Sequence, residues 1–413
     1  MRRTAAGALV VAAIGAGVLA SGSTSHAVTG DSLTVVTVPA LPAGTAALLV
    51  QFAMVDGATP GYITAGPCSG LRRGPQSESS GNHGAGATVA NLAVIGVDPD
   101  GNFCVANNAP VDVVADVQGA FVDGTGDTFV PDRGRRVLDT RERSAAPPAA
   151  GSIEVVDTGV APGTDAVLVN IAMVGATSDG YITADRCTNL TSGPQAKANG
   201  NHPAGAAVSN LAVVPVDADG RFCVYHQSPV HLVVDVQGSF LPAAAAGADA
   251  LHYSASARGR VLDTRSRGTT PPEAGAIEVV DTGVAPGTGA VLVNIAMVDA
   301  TADGYVTADR CGALQPGPQS RANGNHGAGA AVSNLSVVPV DADGRFCIYH
   351  QSPVHLVVDV QGSFAAGATA GFVTLPAARV LDTRPPAPPE PTEPAPASST
   401  PTPPPSPGST RTS

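Results

Sequence analysis

The strongest constraint on this chain is that it repeats itself. Segment 152–240 aligns with 276–364 without a gap, differing at about 14 of 89 positions, and 31–121 is a more diverged copy. The same markers recur in the same order: "GYIT", "GYIT" and "GYVT" at 61–64, 180–183 and 304–307, then "GNH" at 81–83, 200–202 and 324–326. "NLAV" or "NLSV" follows, and "DVQG" closes each copy at 116–119, 235–238 and 359–362. A period of about 120 residues is long enough for each copy to own a core, so the sequence predicts three similar domains.

Each copy reads as a string of strands. In the second these are 153–156, 166–174, 181–184, 208–216, 222–226 and 231–236, several of them nearly continuous apolar runs. Asp-Gly turns in "SDGY" (178–181) and "DADGRF" (217–222) separate them. Apolar content is Val- and Ala-rich with no Trp, and no amphipathic helix exceeds a turn or two. The expected class is all-β: three tandem antiparallel β-sandwich-like repeats at 28–130, 131–250 and 251–371, then a closing strand at 372–384.

The ends are different material. Residues 1–27 have the n-region, apolar h-region and small-residue cleavage site of a secretory signal peptide. Residues 385–413 form a Pro/Ser/Thr-rich tail that cannot bury a core and is expected to be disordered. No later stretch reaches about 18 apolar residues, so no membrane span is expected. The net charge of −12 argues against nucleic acid as a partner. Lys197 is the sole lysine, and heavy Ala, Gly and Pro usage points to a GC-rich, actinobacterial genome. The cysteines fall as Cys68 and Cys104, Cys187 and Cys223, Cys311 and Cys347, each pair 36 positions apart. One bridge per repeat of an exported chain is the expected arrangement.

"RVLDTR" occurs unchanged at 136–141, 260–265 and 379–384. From its Asp to the following strand (Asp139 to Val155, Asp263 to Val279) the separation is constant at 16 residues. From the preceding "DVQG" Asp it is 23, 28 and 23. The motif therefore belongs to the unit that follows it, which leaves the first unit without one and the third copy without a unit. A closed pseudo-threefold ring, in which the last copy returns to unit 1, resolves the mismatch; beads on a string, each motif packing on the unit before it, is the competing arrangement. On an extended segment Val137, Asp139 and Arg141 share a face. Asp116, Asp235 and Asp359 sit in apolar strands and need a cationic partner. The expectation is a structural latch in which Arg141, Arg265 and Arg384 pair with those aspartates or with their own Asp139, Asp263 and Asp382.

Other motifs carry residue types that could do chemistry. "VVDTG" at 155–159 and 279–283 resembles the paired Asp-Thr-Gly loops of aspartic proteases, but Val follows the Gly and unit 1 reads "VTVPA" there. A strand-to-turn exit is the expected reading and an aspartic-type hydrolase the alternative. His202, His226 and His231, with His326, His350 and His355, form an optional metal set, against solvent-facing or turn histidines. Unit 1 has Asn107 and Asp112 at two of these positions. "DADG" lacks the rest of a calcium loop and reads as a hairpin turn. Tyr62, Tyr181 and Tyr305 recur in all units and leave carbohydrate recognition open. No catalytic residue and no cofactor is expected, so the chain is read as a non-enzyme.

The order "VLDTR", "GVAPGT", "VLVNIAMV", "GYIT", "GNH", "DADGRFCVYH", "VVDVQGSF" resembles a repeat domain of exported actinobacterial proteins, with the pattern L-D-T-R to V-D-V-x-G-[YF]-F. The resemblance covers nearly all of 31–384 and implies secreted or wall-associated architecture without an assigned activity. Ser stands in "GSF" where Tyr is common, and no L-D-T-R precedes unit 1. The functional expectation is an extracellular, cell-wall or surface interaction and adhesion module whose partner is a wall polysaccharide or an envelope protein. A carbohydrate-binding module is the first alternative.

Overall fold

The computed structural model describes residues 30–255 and 259–385. The signal peptide expected at 1–27 and all of the expected tail except Pro385 lie outside the described residues.

Each unit is two antiparallel sheets packed face to face. In unit 2 the outer sheet has the order Gly200–His202, Gly180–Asp185, Arg221–His226, Ile153–Asp157. The inner sheet runs Val208–Pro215, Ala166–Val174, His231–Leu241, Thr128–Asp139. Strand alternation explains the continuous apolar runs. Val167, Val169, Ile171 and Met173 point into the unit's own core with Ile182 and Phe222. Ala166 and Leu168 point the other way, into a core shared with Leu49, Leu92, Leu211, Leu292 and Leu335 of all three units. An inner sheet covered on both faces is apolar over most of each, and the polar residues it does bury, such as Asn170 and Asp235, are met by hydrogen-bonding partners.

The strand that carries "RVLDTR" is the fourth member of the inner sheet of the unit that follows it. Thr128–Asp139 pairs with His231–Leu241, and Gly259–Asp263 pairs with His355–Ala365. The third copy, in Ala370–Asp382, crosses back to pair with Asp112–Asp123 of unit 1. The ring is therefore closed. We call these the leader strands. They also touch one another, through the pairs Phe129 with Leu251, Tyr253 with Ala370, and Asp127 with Phe372.

Six aromatic rings seal the axis. The leader ring of each unit stacks on the closing ring of the next: Phe129 on Phe364, Tyr253 on Phe121 and Phe372 on Phe240, each at 4.1 Å between centroids. All six side chains are buried, and burying each stabilises the ring by about 1.5–3 kcal/mol. The glycine of "DVQG" makes room for them. A Cβ at Gly119, Gly238 or Gly362 would lie 2.4, 2.2 or 2.4 Å from the ring of Phe372, Phe129 or Tyr253. The preceding Gln is the extra residue of a bulge, where the register shifts.

The three disulfides join Cys68 to Cys104, Cys187 to Cys223 and Cys311 to Cys347. Each ties a 3-10 turn to a strand of the outer sheet and closes 36 residues, which destabilises the unfolded chain by about 3–4 kcal/mol on the chain-entropy account. Among the described residues no helix is long and apolar enough to cross a membrane.

Candidate functional site

"RVLDTR" is used residue by residue to fasten the leader strand. Its first arginine, not its last, takes the buried aspartate of "DVQG". Arg136 donates from Nε and Nη2 to Asp235 at 2.9 and 3.1 Å, as Arg260 does to Asp359 and Arg379 to Asp116. These aspartates are 2–4% exposed, so a bidentate guanidinium supplies the charge that burial demands. The expected common face of Val137, Asp139 and Arg141 is not formed, because the strand ends at Asp139 and a 3-10 turn begins. Asp139 caps that turn by accepting from Arg141 N, and Arg141 folds back to donate two further bonds to the same carboxylate. Asp263 with Arg265, and Asp382 with Arg384, repeat this. The bonds from Arg141 and Arg265 hold the Asp139 and Asp263 carboxyls below the ordinary carboxylate value.

The threonine completes the fastening. Thr140 Oγ1 accepts from Leu232 N and lies 3.0 Å from His231 Nδ1, whose Nε2 lies 3.3 Å from Ala145 O. Thr264 and His355 do the same. In unit 1, Asp112 takes the place of the histidine and accepts from Thr383 Oγ1 at 2.9 Å. The second substitution in that unit is explained similarly. Asn107 Nδ2 bonds Ala109 O where His226 Nδ1 faces Ser228 O. The histidines are therefore structural and buried, not solvent-facing, because each bridges a loop to a strand. His202 and His226 meet at Ser228, while His231 is held apart on the inner sheet. Among the described residues no group of three or more His, Cys, Asp or Glu could hold a metal ion.

The Asp-Thr-Gly stretches are turns. Asp157 accepts from Gly159 N, Thr158 Oγ1 donates to Gly220 O, and Val160 N returns to Thr158. Asp157 and Asp281 stand on separate outer sheets, each facing its own arginine, Arg221 or Arg345. The "DADG" stretches are likewise hairpin turns, with Asp217 Oδ2 accepting from Cys187 N.

What the ring brings together lies at the seams between units. At the second seam, between units 2 and 3, a groove of 220 Å³ is lined by Arg136, Arg141 and Asn170 on one side and Tyr305, Gln319 and Asn325 on the other. Markers far apart in sequence ("RVLDTR", "GYVT", "GNH") meet here. Arg136 Nη2 donates to Ser320 O, and Asn170 Nδ2 to Ala322 O, so the latch also clamps the next unit. Arg379 reaches Ala196 O across the first seam. Tyr305 is pinned by Gln319, donating to its carbonyl and accepting from its amide. Among the described residues the buried Oδ1 of Asn325, and that of its equivalent Asn201, have no hydrogen-bond partner. The first seam also holds a larger groove of 520 Å³, with Arg186 and Lys197 on its wall and the unpartnered Oε1 of Gln118. The role of the first arginine and the seam grooves escaped sequence reading, though the invariance of "RVLDTR" from its first letter pointed to the former.

No known family model matches the sequence, and no curated protein matches it. Among solved structures, the N-terminal CBM22-1–CBM22-2 tandem domain of Paenibacillus barcinonensis Xyn10C is similar at 11% identity and a TM-score of 0.16, covering 60% of this chain and 100% of that one. A structure of Sulfolobus Turreted Icosahedral Virus is similar at 9% identity and a TM-score of 0.17, covering 82% of this chain and 85% of that one. Neither superposes well enough to bear on function.

Proposed function

We propose that this chain is an exported, non-catalytic interaction module that works outside the cell, at the wall or surface. The observation that carries this reading is the use of "RVLDTR": its first arginine and its threonine fasten the leader strand, its aspartate and last arginine close the turn that ends it, and Arg136 and Arg379 also clamp a neighbouring unit. The result is a closed ring that shows the surroundings three versions of one seam. Three disulfides in one chain fit an oxidising compartment. A carbohydrate-binding role is the second reading, favoured by the tyrosine and asparagine that meet in the seam groove. The exposed, separately paired Asp157 and Asp281 give the hydrolase alternative no support.

The test is retention of the purified protein on cell envelopes of the producing organism, with isolated peptidoglycan and wall polysaccharide run separately. Saturable retention on one of these is the expected result; passage through all three overturns the reading. Pepstatin-sensitive cleavage of unfolded protein between pH 3 and 7 would instead make it an enzyme.

A further inference from the structure

The seams are not electrically alike. At the second, Arg136, Arg141 and Arg321 are 32%, 46% and 27% exposed in their side chains, while their partners Asp235, Asp139 and Asp309 are only 5%, 6% and 4% exposed. The carboxylates thus face inward and the guanidinium N–H groups outward. Arg141 uses Nε and Nη2 on Asp139, and Nη1 has no partner among the described residues. The first seam follows the pattern in Arg379 and Lys197, both 34% exposed over Asp116 at 6% and Asp185 at 12%, while Arg384 at 43% sits on an Asp382 that is itself 30% exposed. In both, an asparagine whose buried Oδ1 has no hydrogen-bond partner among the described residues, Asn325 or Asn201, is paired across from a tyrosine, Tyr305 or Tyr181.

The third seam breaks the pattern. Arg260 and Arg265 are present, but Glu78 stands where Lys197 and Arg321 stand. Asn82 Oδ1 is already taken by Ser79 Oγ. A protein of net charge −12 thus keeps two local surfaces of outward N–H donors, each beside a half-buried tyrosine ring.

We infer that the first and second seams are binding sites for an acidic saccharide, a sugar or polyol unit carrying carboxylate or phosphate, and that the third seam is not. The anion meets Arg141 or Arg384 as a charge-assisted acceptor, and the carbon skeleton of the sugar lies along the tyrosine. The two sites on one rigid ring would hold a polymer more tightly than either alone. This deepens the reading above and rests on it, because it takes wall polysaccharide as the partner.

Titration calorimetry of the full chain tests it, with oligogalacturonate as the carboxylate probe, oligo(glycerol phosphate) as the phosphate probe and a dextran fragment as the neutral control. The expected result is binding of at least one acidic probe at two sites per chain, weakened by added NaCl, with no binding of dextran. Arg141→Gln and Arg384→Gln should each remove one site, lowering its affinity about tenfold or more, and Arg265→Gln should remove none. Equal binding of dextran, a stoichiometry of three, or no binding of either acidic probe overturns the inference. The wild-type stoichiometry and selectivity decide this without relying on any variant. If the double variant stays on envelopes as well as wild type does, the sites are wrong and the interaction reading stands. Binding of an acidic probe by a protein that envelopes do not retain leaves the sites and removes that reading.

Discussion

Replacing Arg379 by methionine leaves the Asp116 carboxylate in the wall of unit 1 with 4% of its surface exposed and its two charge-assisted bonds gone. Removing one partner of a buried pair costs about 3–5 kcal/mol, because the stranded charge is desolvated without compensation. Arg379 is itself 34% exposed, so water entering the gap lowers the expected cost to about 2–4 kcal/mol. Arg384→Met, five residues on in the same motif, breaks a pair whose acid is 30% exposed, which is worth about 0–1 kcal/mol. Urea unfolding followed by circular dichroism, with limited proteolysis to locate the first opening, reads both. Arg379→Met should lower the midpoint severalfold more than Arg384→Met and expose unit 1 first. Adding Asp116→Val to Arg379→Met should restore much of the loss, since an apolar pair tolerates burial. Equal losses for the two arginines, or no recovery in the double variant, would refute the assignment of the first arginine as the lock.

Deleting 370–413 removes the closing strand, so unit 1 should lose its protection from protease while units 2 and 3 keep theirs; loss confined to unit 3 would mean the strand does not close the ring. Gly238→Ala puts a methyl 2.2 Å from the Phe129 ring and should cost about 1–3 kcal/mol, read as a lower melting temperature, and an unchanged melt would contradict the aromatic seal. Acidification should destabilise the fold. Burial holds His83, His202, His226, His326 and His350 below the ordinary 6.5, so the unfolded chain protonates first. Their contribution is full above about 6.5 and is lost as pH falls toward the folded values. Asp127, pushed up to about 7 by burial and then by Asp165, works the other way, its contribution being lost as pH rises through 7. Melting temperature should therefore peak near neutrality and fall by pH 5, with units 2 and 3 affected more than unit 1; a melt that rises from pH 7 to 5 would overturn this.

The three-unit all-β plan was legible because it rests on periodicity and spacing, which are properties of the chain. A constant 16 residues after "LDTR" and a variable gap before it were enough to say which unit owns the strand. Which arginine locks Asp235 was not legible. Period-two alternation assumes the strand runs through Arg141, but Asp139 accepts from the Arg141 amide and turns the chain after "VLD". A bulge then falls between Arg136 and Leu138, which brings Arg136 opposite Asp235. Local side-chain bonding overrode the strand pattern there.

The seam sites were illegible for a different reason. Tyr305 and Arg141 lie in different units and meet only when inner sheets pack around a common axis. The axis itself depends on a stacking order in which each leader ring crosses to the next unit. Sequence could show that Tyr62, Tyr181 and Tyr305 recur, but not that Tyr305 shares a groove with the neighbouring unit's latch. Once the ring is known, the substitutions among repeats acquire meaning. His231 and Asp112 are interchangeable because either can accept from the leader threonine. Lys197 and Arg321 are interchangeable because either can hold a buried aspartate while facing outward. Glu78 is not equivalent to them, and it falls at the seam whose asparagine is already satisfied. That reversal of charge separates a seam that only holds the ring together from two that do so and also leave N–H donors exposed to a ligand.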